Sequence, residues 1–253
     1  MEVLVQDISR HPEDCICFDR RNFLKQAGVA TAVGICGGGL FFADQVRADA
    51  LTREQREKLT PQQIIEAMKN GNERFRKGER QERDYLREQR ASASGQFPAA
   101  ALLSCIDSRA PAEVIMDLGI GDIFNSRVAG NVENPDILGS LEFACKLAGA
   151  KVVLVMGHTA CGAIKGAIDN VELGNLTGLL AKIKPAIEAT AYAGERSAKN
   201  YVFVDAVARK NVELTISDIR KDSPVLAKLE SEGVIKIAGA MYNLETGAVE
   251  FFD

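Results

Sequence analysis

From residue 99 onward, short apolar runs alternate with longer stretches of helical periodicity. The runs A-A-A-L-L-S-C (99–105), D-I-F-N-S-R-V (122–128) and K-V-V-L-V-M-G-H (151–158) are rich in aliphatic residues and read as buried strands. Pro135 to Ala150 reads as a helix capped by Asn134, and further helices are predicted near 176–192, 199–220 and 223–232. The chain closes with V-I-K-I-A-G-A-M-Y (234–242), the turn-like E-T-G (245–247) and A-V-E-F-F (248–252), a predicted terminal hairpin. Strand and helix in alternation predict an α/β fold, a central, mainly parallel sheet with helices on both faces. Upstream, residues 51–94 are dense in alternating charges, which suits a solvated outer face. Thr60 is placed to cap a helix with Pro61 at its first position, and Ile64, Ile65, Met68 and Phe75 then form one apolar stripe. Such a stripe packs on the parent domain or on a partner subunit. A-S-A-S-G-Q (91–96) reads as a loop, and the chain contains no internal repeat.

The first fifty residues follow a different logic. D-R-R-N-F-L-K (19–25) precedes a Gly-rich apolar run from Ala27 to Ala43, and A-D-A (48–50) follows it. A charged region, a short apolar region and a small-x-small site are the parts of an export signal. Paired Arg20 and Arg21 before Phe23, Leu24 and Lys25 resemble the twin-arginine type. A membrane span needs ~20 apolar residues, so a cleaved signal is the favoured reading and a retained anchor the alternative. Cys36 follows Ile35 rather than a small residue and does not read as a lipid attachment site. The expected organisation is a signal over 1–50, cleaved near Ala50, a helical arm over 51–98 and an α/β domain over 99–253. The expected destination is the periplasm, by way of the twin-arginine export machinery.

Composition matters mainly after that segment is set aside. The whole chain has 253 residues, 46% hydrophobic and 26% charged, with a formal net charge of −4. That balance excludes a protein that lives on nucleic-acid backbone contacts. Six cysteines and two histidines shrink to Cys105, Cys145, Cys161 and His158 beyond residue 50. Three cysteines are too few for the disulfide framework that exported proteins often carry.

Two predicted strands end in chemistry: S-C-I-D-S-R (104–109) and G-H-T-A-C-G (157–162). In parallel α/β sheets ligand sites lie at the carboxyl ends of strands, so these segments are expected to share one crevice. Two thiolates (Cys105, Cys161) and one imidazole (His158) suit Zn²⁺ in a tetrahedral shell. Three firm ligands leave a fourth position for water or for Asp107, and an open position marks a catalytic zinc. Cys161, near a helix N-terminus, is expected to have its thiolate favoured by the helix dipole. Arg109 is placed to bind the Asp107 carboxylate through a forked pair of hydrogen bonds, which would hold it off the metal and orient it as an acceptor. Cys145, in the helix beside Phe143 and Leu147, reads as packing.

With these motifs in hand, the sequence resembles the β-class carbonic anhydrases. Their paired motifs appear as C-I-D-S-R (105–109) and H-T-A-C-G (158–162). The similarity extends through G-D-I-F-N-S-R-V-A-G-N (121–131), S-L-E-F-A (140–144), N-V-E-L (211–214), S-P-V-L (223–226) and G-A-M-Y-N-L-E-T-G (239–247). P-Q-Q-I-I-E-A-M-K-N-G-N-E-R-F (61–75) is similar to the family's opening helix, so residues 60–253 are covered. The resemblance implies a zinc lyase that converts CO₂ and water to bicarbonate and a proton through zinc-bound hydroxide. It implies Cys105, His158 and Cys161 as zinc ligands, Asp107 with Arg109 as the gating dyad, and Asp107 as an alternative ligand in a closed form. It also implies a homodimer or dimer-based oligomer, with the arm laid on the neighbour. Some members carry a regulatory bicarbonate site built on a Trp, an Arg and a Tyr. Arg127 matches the Arg, but Leu102 stands in place of the Trp and the chain has none. Beyond residue 50 no second histidine is present to relay protons. Hydrolysis of carbon disulfide or carbonyl sulfide on the same zinc, and a non-catalytic zinc-holding scaffold, are the alternatives. Asp107 and Arg109 would be superfluous in a scaffold.

Overall fold

The computed structural model describes residues 50–252. The export-signal reading therefore lies outside the described residues, apart from Ala50. No helix among the described residues is long and apolar enough to cross a membrane.

The V-V-L-V-M-G run has no polar face, and a strand of that kind is stable only when both faces are covered. It forms β3 (Val152–His158), buried along its whole length at the centre of a five-stranded sheet. The order is β2-β1-β3-β4-β5, with β1 at Ala100–Ser104, β2 at Ile123–Arg127, β4 at Lys236–Tyr242 and β5 at Val249–Phe252. The first four run parallel, and only the terminal β4–β5 pair is antiparallel. Alternate strand residues feed two cores. Ala101, Leu103, Val153, Val155 and Ile237 face Phe203, Val204, Val207 and Leu226. Those come from α9 (Tyr201–Asp222) and α10 (Pro224–Ser231). On the other face Leu102, Val152, Leu154 and Ala240 meet Ile64, Ile65 and Met68 of α2 (Pro61–Lys77), with Ile115 of α4 (Ala112–Ile115). The expected α/β layering is therefore present.

Helix α2 begins as its sequence dictates. The Thr60 side chain accepts from the Gln63 backbone, Gln63 reaches back, and Pro61 opens the first turn. Its apolar stripe packs on the chain's own sheet. Gly71 allows that approach, because a Cβ there would stand 1.9 Å from the Met116 carbonyl oxygen. Asn72, buried beside it, donates to the Ile115 and Gly247 carbonyls and accepts from the Val249 amide. One side chain thus ties the arm to α4 and to the terminal hairpin.

The arm's charges are not all solvated, contrary to the sequence expectation. Arg83 and Glu88 are buried together at 3.0 Å, and Arg74 meets the buried Asp117 at 2.7 Å. Charges withdrawn from water this far need partners, and here they clip the arm to the loop before β2. Three further boundaries differ. Ala91 and Ser92 belong to the last turn of α3 (Tyr85–Ser92), which Asp84 caps, so the loop starts later. The single helix expected near 176–192 is two, α7 (Gly174–Ala181) and α8 (Lys184–Ala189), because Pro185 cannot sit inside a continuous helix. The helix from Asn134 runs as α5 (Pro135–Glu142) and then widens into a π turn over Phe143–Leu147. Cys145 points into the core, whereas Phe143 and Leu147, two residues away on either side, are exposed at 51% and 77%. Side chains two apart on a helix project to opposite sides, so the three do not pack together.

Met68 is buried against the sheet. Met68→Ala should cost about 2–5 kcal/mol in urea unfolding at fixed protein concentration and leave the sedimentation behaviour of the folded protein unchanged. A variant of unchanged stability that sedimented as a smaller species would instead assign the stripe to a partner.

Candidate metal centre

Register sets the site. β1 and β3 are parallel neighbours, with Ser104 opposite Met156, so both open at the same carboxyl edge of the sheet. Cys105 follows directly on β1, and β3 continues two residues further to end in His158. The chain then turns through Thr159 and Ala160 and enters α6 (Gly162–Ile168), with Cys161 at the cap position. Cys105, His158 and Cys161 are all buried, and their ligating atoms lie within 4.8 Å of one another.

The donor set fits a zinc ion. The two sulfurs are 4.0 Å apart, against about 3.8 Å for two thiolates 2.3 Å from a tetrahedral zinc. His158 Nδ1 lies 2.9 Å from the Thr159 carbonyl oxygen, which can only accept, so Nδ1 carries the proton and Nε2 the lone pair. Nε2 is buried and has no hydrogen-bond partner. Buried polar atoms are nearly always satisfied, and an orphaned imidazole lone pair between two sulfurs is explained by a cation.

The metal-free electrostatics agree. The Cys161 thiol donates to the Cys105 sulfur, which holds the Cys105 thiol far down, at about 4; the neighbouring His158 ring, itself raised despite burial by that sulfur, and the Gly130 amide donating at 3.4 Å act in the same direction. Cys161 is pushed up by that same contact and by burial, although the Ala163 and Ile164 amides at the start of α6 pull the other way. The helix terminus thus favours a Cys161 thiolate as expected, but without metal the Cys105 contact and burial outweigh it. Two thiolates 4.0 Å apart repel, and one proton stays until a cation replaces it.

Asp107 and Arg109 form the fork expected from their spacing. Arg109 Nε donates to Oδ1 at 2.9 Å and Nη2 to Oδ2 at 2.8 Å, and the Arg109 backbone amide adds a third bond to Oδ1. These bonds hold the Asp107 carboxyl well below the usual carboxylate range. Oδ2 stands 3.7 Å from His158 Nε2, so the dyad faces the ligand cluster. Arg127 donates to the Cys105 and Asp107 carbonyls and fixes the loop's backbone. Leu102 is buried in the opposite core.

Sequence reasoning missed the supports supplied by α9. Asn211 donates to the Gly130 carbonyl at 2.7 Å, and Asp205 accepts from the Ala160 amide at 2.8 Å. Both lie far along the chain from the ligands, and only the N-V-E-L match touched either of them. Gly130 itself has φ +71°, and a Cβ would meet Ile183 Cδ1 at 2.7 Å.

A family model described as carbonic anhydrase matches residues 100–249. Carbonic anhydrase 2 of Mycobacterium tuberculosis is 33% identical over 183 residues, covering 72% of this chain and 87% of its own. The carbonic anhydrase of Mycolicibacterium smegmatis is 32% identical over 186 residues, with 73% and 89% covered. Among solved structures, the β-carbonic anhydrase CafA of Aspergillus fumigatus superimposes with a TM-score of 0.57 at 30% identity, covering 64% of this chain and 78% of that one.

Because the folded Asp107 carboxyl is depressed, its pairing stabilises the fold above the ordinary value of about 3.9. That contribution is lost as pH falls through the lower folded value. Arg109→Ala should move the Asp107 titration upward, as read by NMR of ¹³C-labelled carboxyls. Stability at pH 7 should barely change, because the Arg109 side chain is 58% exposed. An unmoved titration would show that Arg109 is not the cause.

Proposed function

The chain belongs to the β-class carbonic anhydrase family, and from that premise we propose that Cys105, His158 and Cys161 hold its zinc while Asp107 and Arg109 serve the reaction. The reaction is the reversible hydration of CO₂ to bicarbonate and a proton. The observation that carries the assignment is the buried, unpartnered His158 Nε2 beside two sulfurs and a forked carboxylate.

When bound, zinc supplies Lewis acidity that brings the ionisation of water toward the working pH range. The two cysteine sulfurs donate more charge than imidazoles would, so that ionisation is placed above the ~7 typical of a three-histidine site. Asp107 is the orienting acceptor. A carboxylate offers about four lone-pair positions. Arg109 occupies two on Oδ1 and one on Oδ2, which leaves an acceptor on Oδ2, the oxygen nearer His158. A nucleophile that donates there keeps its remaining lone pairs free for the carbon. Arg109 keeps the carboxylate charged and turned toward itself. His158 cannot relay the product proton, because Nδ1 is committed to the Thr159 carbonyl, so the proton leaves through water to external buffer.

A second copy of the chain is the proposed partner, giving a homodimer. Among the described residues β2 is one of the two edges of the sheet, the one nearer β1 and its Cys105, and an edge leaves unpaired backbone donors and acceptors. A cleft of about 550 Å³ lies between β2 and α5, bounded by Phe124, Pro135 and the exposed Phe143. Ile106, beside Asp107, is 60% exposed. A partner on this side would cover both apolar side chains and wall the site.

Stopped-flow CO₂ hydration, with zinc content measured on the same samples, tests the catalytic reading. Wild type should bind one zinc and turn over faster as pH rises from 7 to 9, while His158→Ala and Cys161→Ser lose zinc and activity together. Asp107 stays ionised throughout that range, since its carboxyl lies below the usual value, and does not contribute to the rise. A zinc-loaded wild type that is inert toward CO₂ but hydrolyses carbon disulfide or carbonyl sulfide would overturn the substrate.

Residues 1–50 are proposed to act as a twin-arginine signal that delivers the folded, zinc-loaded protein to the periplasm. The supporting feature is the Arg20–Arg21 pair ahead of an apolar run that ends before Asp44. Fused to a folded reporter, this segment should direct export, and Arg20→Lys with Arg21→Lys should stop it. Unchanged export of the double variant would exclude this route.

A further inference from the structure

The turn that carries Cys161 is strained. Ala160, between the ligands His158 and Cys161, has φ +54°, in the left-handed region that disfavours any residue with a side chain. Such a conformation persists only where its surroundings over-determine it. On one side the constraint is visible: the Thr159 amide donates to the Tyr242 carbonyl, and the Leu244 amide donates to Thr159 Oγ1. On the other side the Ala160 amide donates to Asp205 Oδ1 at 2.8 Å. That bond reaches across 45 residues to α9.

Asp205 follows Phe203 and Val204, both fully buried, so its backbone is anchored in the core. Its carboxyl is half-buried, and burial pushes it upward, while the Ala160 amide and the charge of Lys165 oppose that rise. Lys165 in turn lies over the Tyr201 ring at 3.9 Å. Six residues further along the same helix, Asn211 holds the Gly130 carbonyl, and the Gly130 amide meets Cys105 Sγ. One rigid helix therefore addresses the loops beside both cysteines.

We propose that Asp205 is a positioning residue of the metal centre: by holding the Ala160 amide it fixes the strained turn that sets Cys161 against Cys105 and His158. It does so without touching the ion, and the inference rests on the assignment of those three ligands. Partners beyond the coordinating atoms commonly change metal affinity by about 10–100-fold when removed.

The test is zinc affinity by chelator competition on the full-length protein, paired with the visible spectrum of the Co²⁺-substituted form, which reports thiolate number and geometry. Asp205→Ala should weaken zinc by about 10–100-fold and shift the Co²⁺ bands. Asp205→Asn retains an acceptor oxygen and should restore both to near wild type. Ala160→Gly removes the backbone strain, so the Ala160→Gly/Asp205→Ala double variant should bind zinc more tightly than Asp205→Ala alone. It also supplies a measurable protein if the single variant does not fold. Unchanged affinity and spectrum in Asp205→Ala would overturn the proposal. So would equal losses in Asp205→Asn and Asp205→Ala, which would assign the effect to charge. Failure of wild type to bind one zinc would overturn the ligand assignment itself and leave the Asp205–Ala160 contact as a purely structural bond.

Discussion

Two cysteine sulfurs 4.0 Å apart in a buried site are the constraint on which this structure turns. Without a cation, only one of them can be a thiolate at ordinary pH, and their shared proton marks the charge that a metal would neutralise. Such a site needs loops held rigidly, because a small displacement of either sulfur would break the shared hydrogen bond and spoil the donor geometry. The rigidity comes from the sheet. β1 and β3 are adjacent and parallel, so Cys105 and His158 are delivered to one edge by register.

The backbone around the ligands is then pinned by side chains from elsewhere. Arg127, at the end of β2, takes the carbonyls of Cys105 and Asp107. Asn211 and Asp205, on α9, take the Gly130 carbonyl and the Ala160 amide. Gly130 and Ala160 both have positive φ, so the pins fall where the chain is least comfortable. Most of these pins satisfy a backbone group that would otherwise be left unpaired near the core, while the Asp107 carbonyl also accepts from the Ala110 amide. The match at Arg127 to a family regulatory position acquires a different meaning here, since its guanidinium is committed to these carbonyls.

The arm shows the same economy of contacts. Its apolar stripe covers the sheet's second face, and Asn72 links it to α4 and the hairpin. The β2 edge, with the exposed Ile106 and Phe143, is the surface proposed for a partner. The hydrophobic pattern of α2 could not distinguish these cases, because a sheet face and a neighbouring subunit present the same apolar demand.

Local chemistry made much of the protein legible in its sequence. Apolar runs gave the strands, though 122–128, expected to be buried, forms the partly exposed edge strand β2; Thr60 and Asn134 gave helix starts, and the two-residue spacing of Asp107 and Arg109 gave the fork, because each depends on residues close in the chain. The set Cys105, His158 and Cys161 was legible for the same reason: two short motifs at strand ends hold the donors that zinc prefers. What lay beyond the sequence depends on distance in space. The burial of Arg83 with Glu88 against the loop before β2 belongs here. So do the holds of Asp205 and Asn211 on the site and the choice of which cysteine keeps the proton. Hydrogen bonds, desolvation and repulsion between groups tens of residues apart have no magnitude until the fold sets their separation, and only the tertiary structure does that.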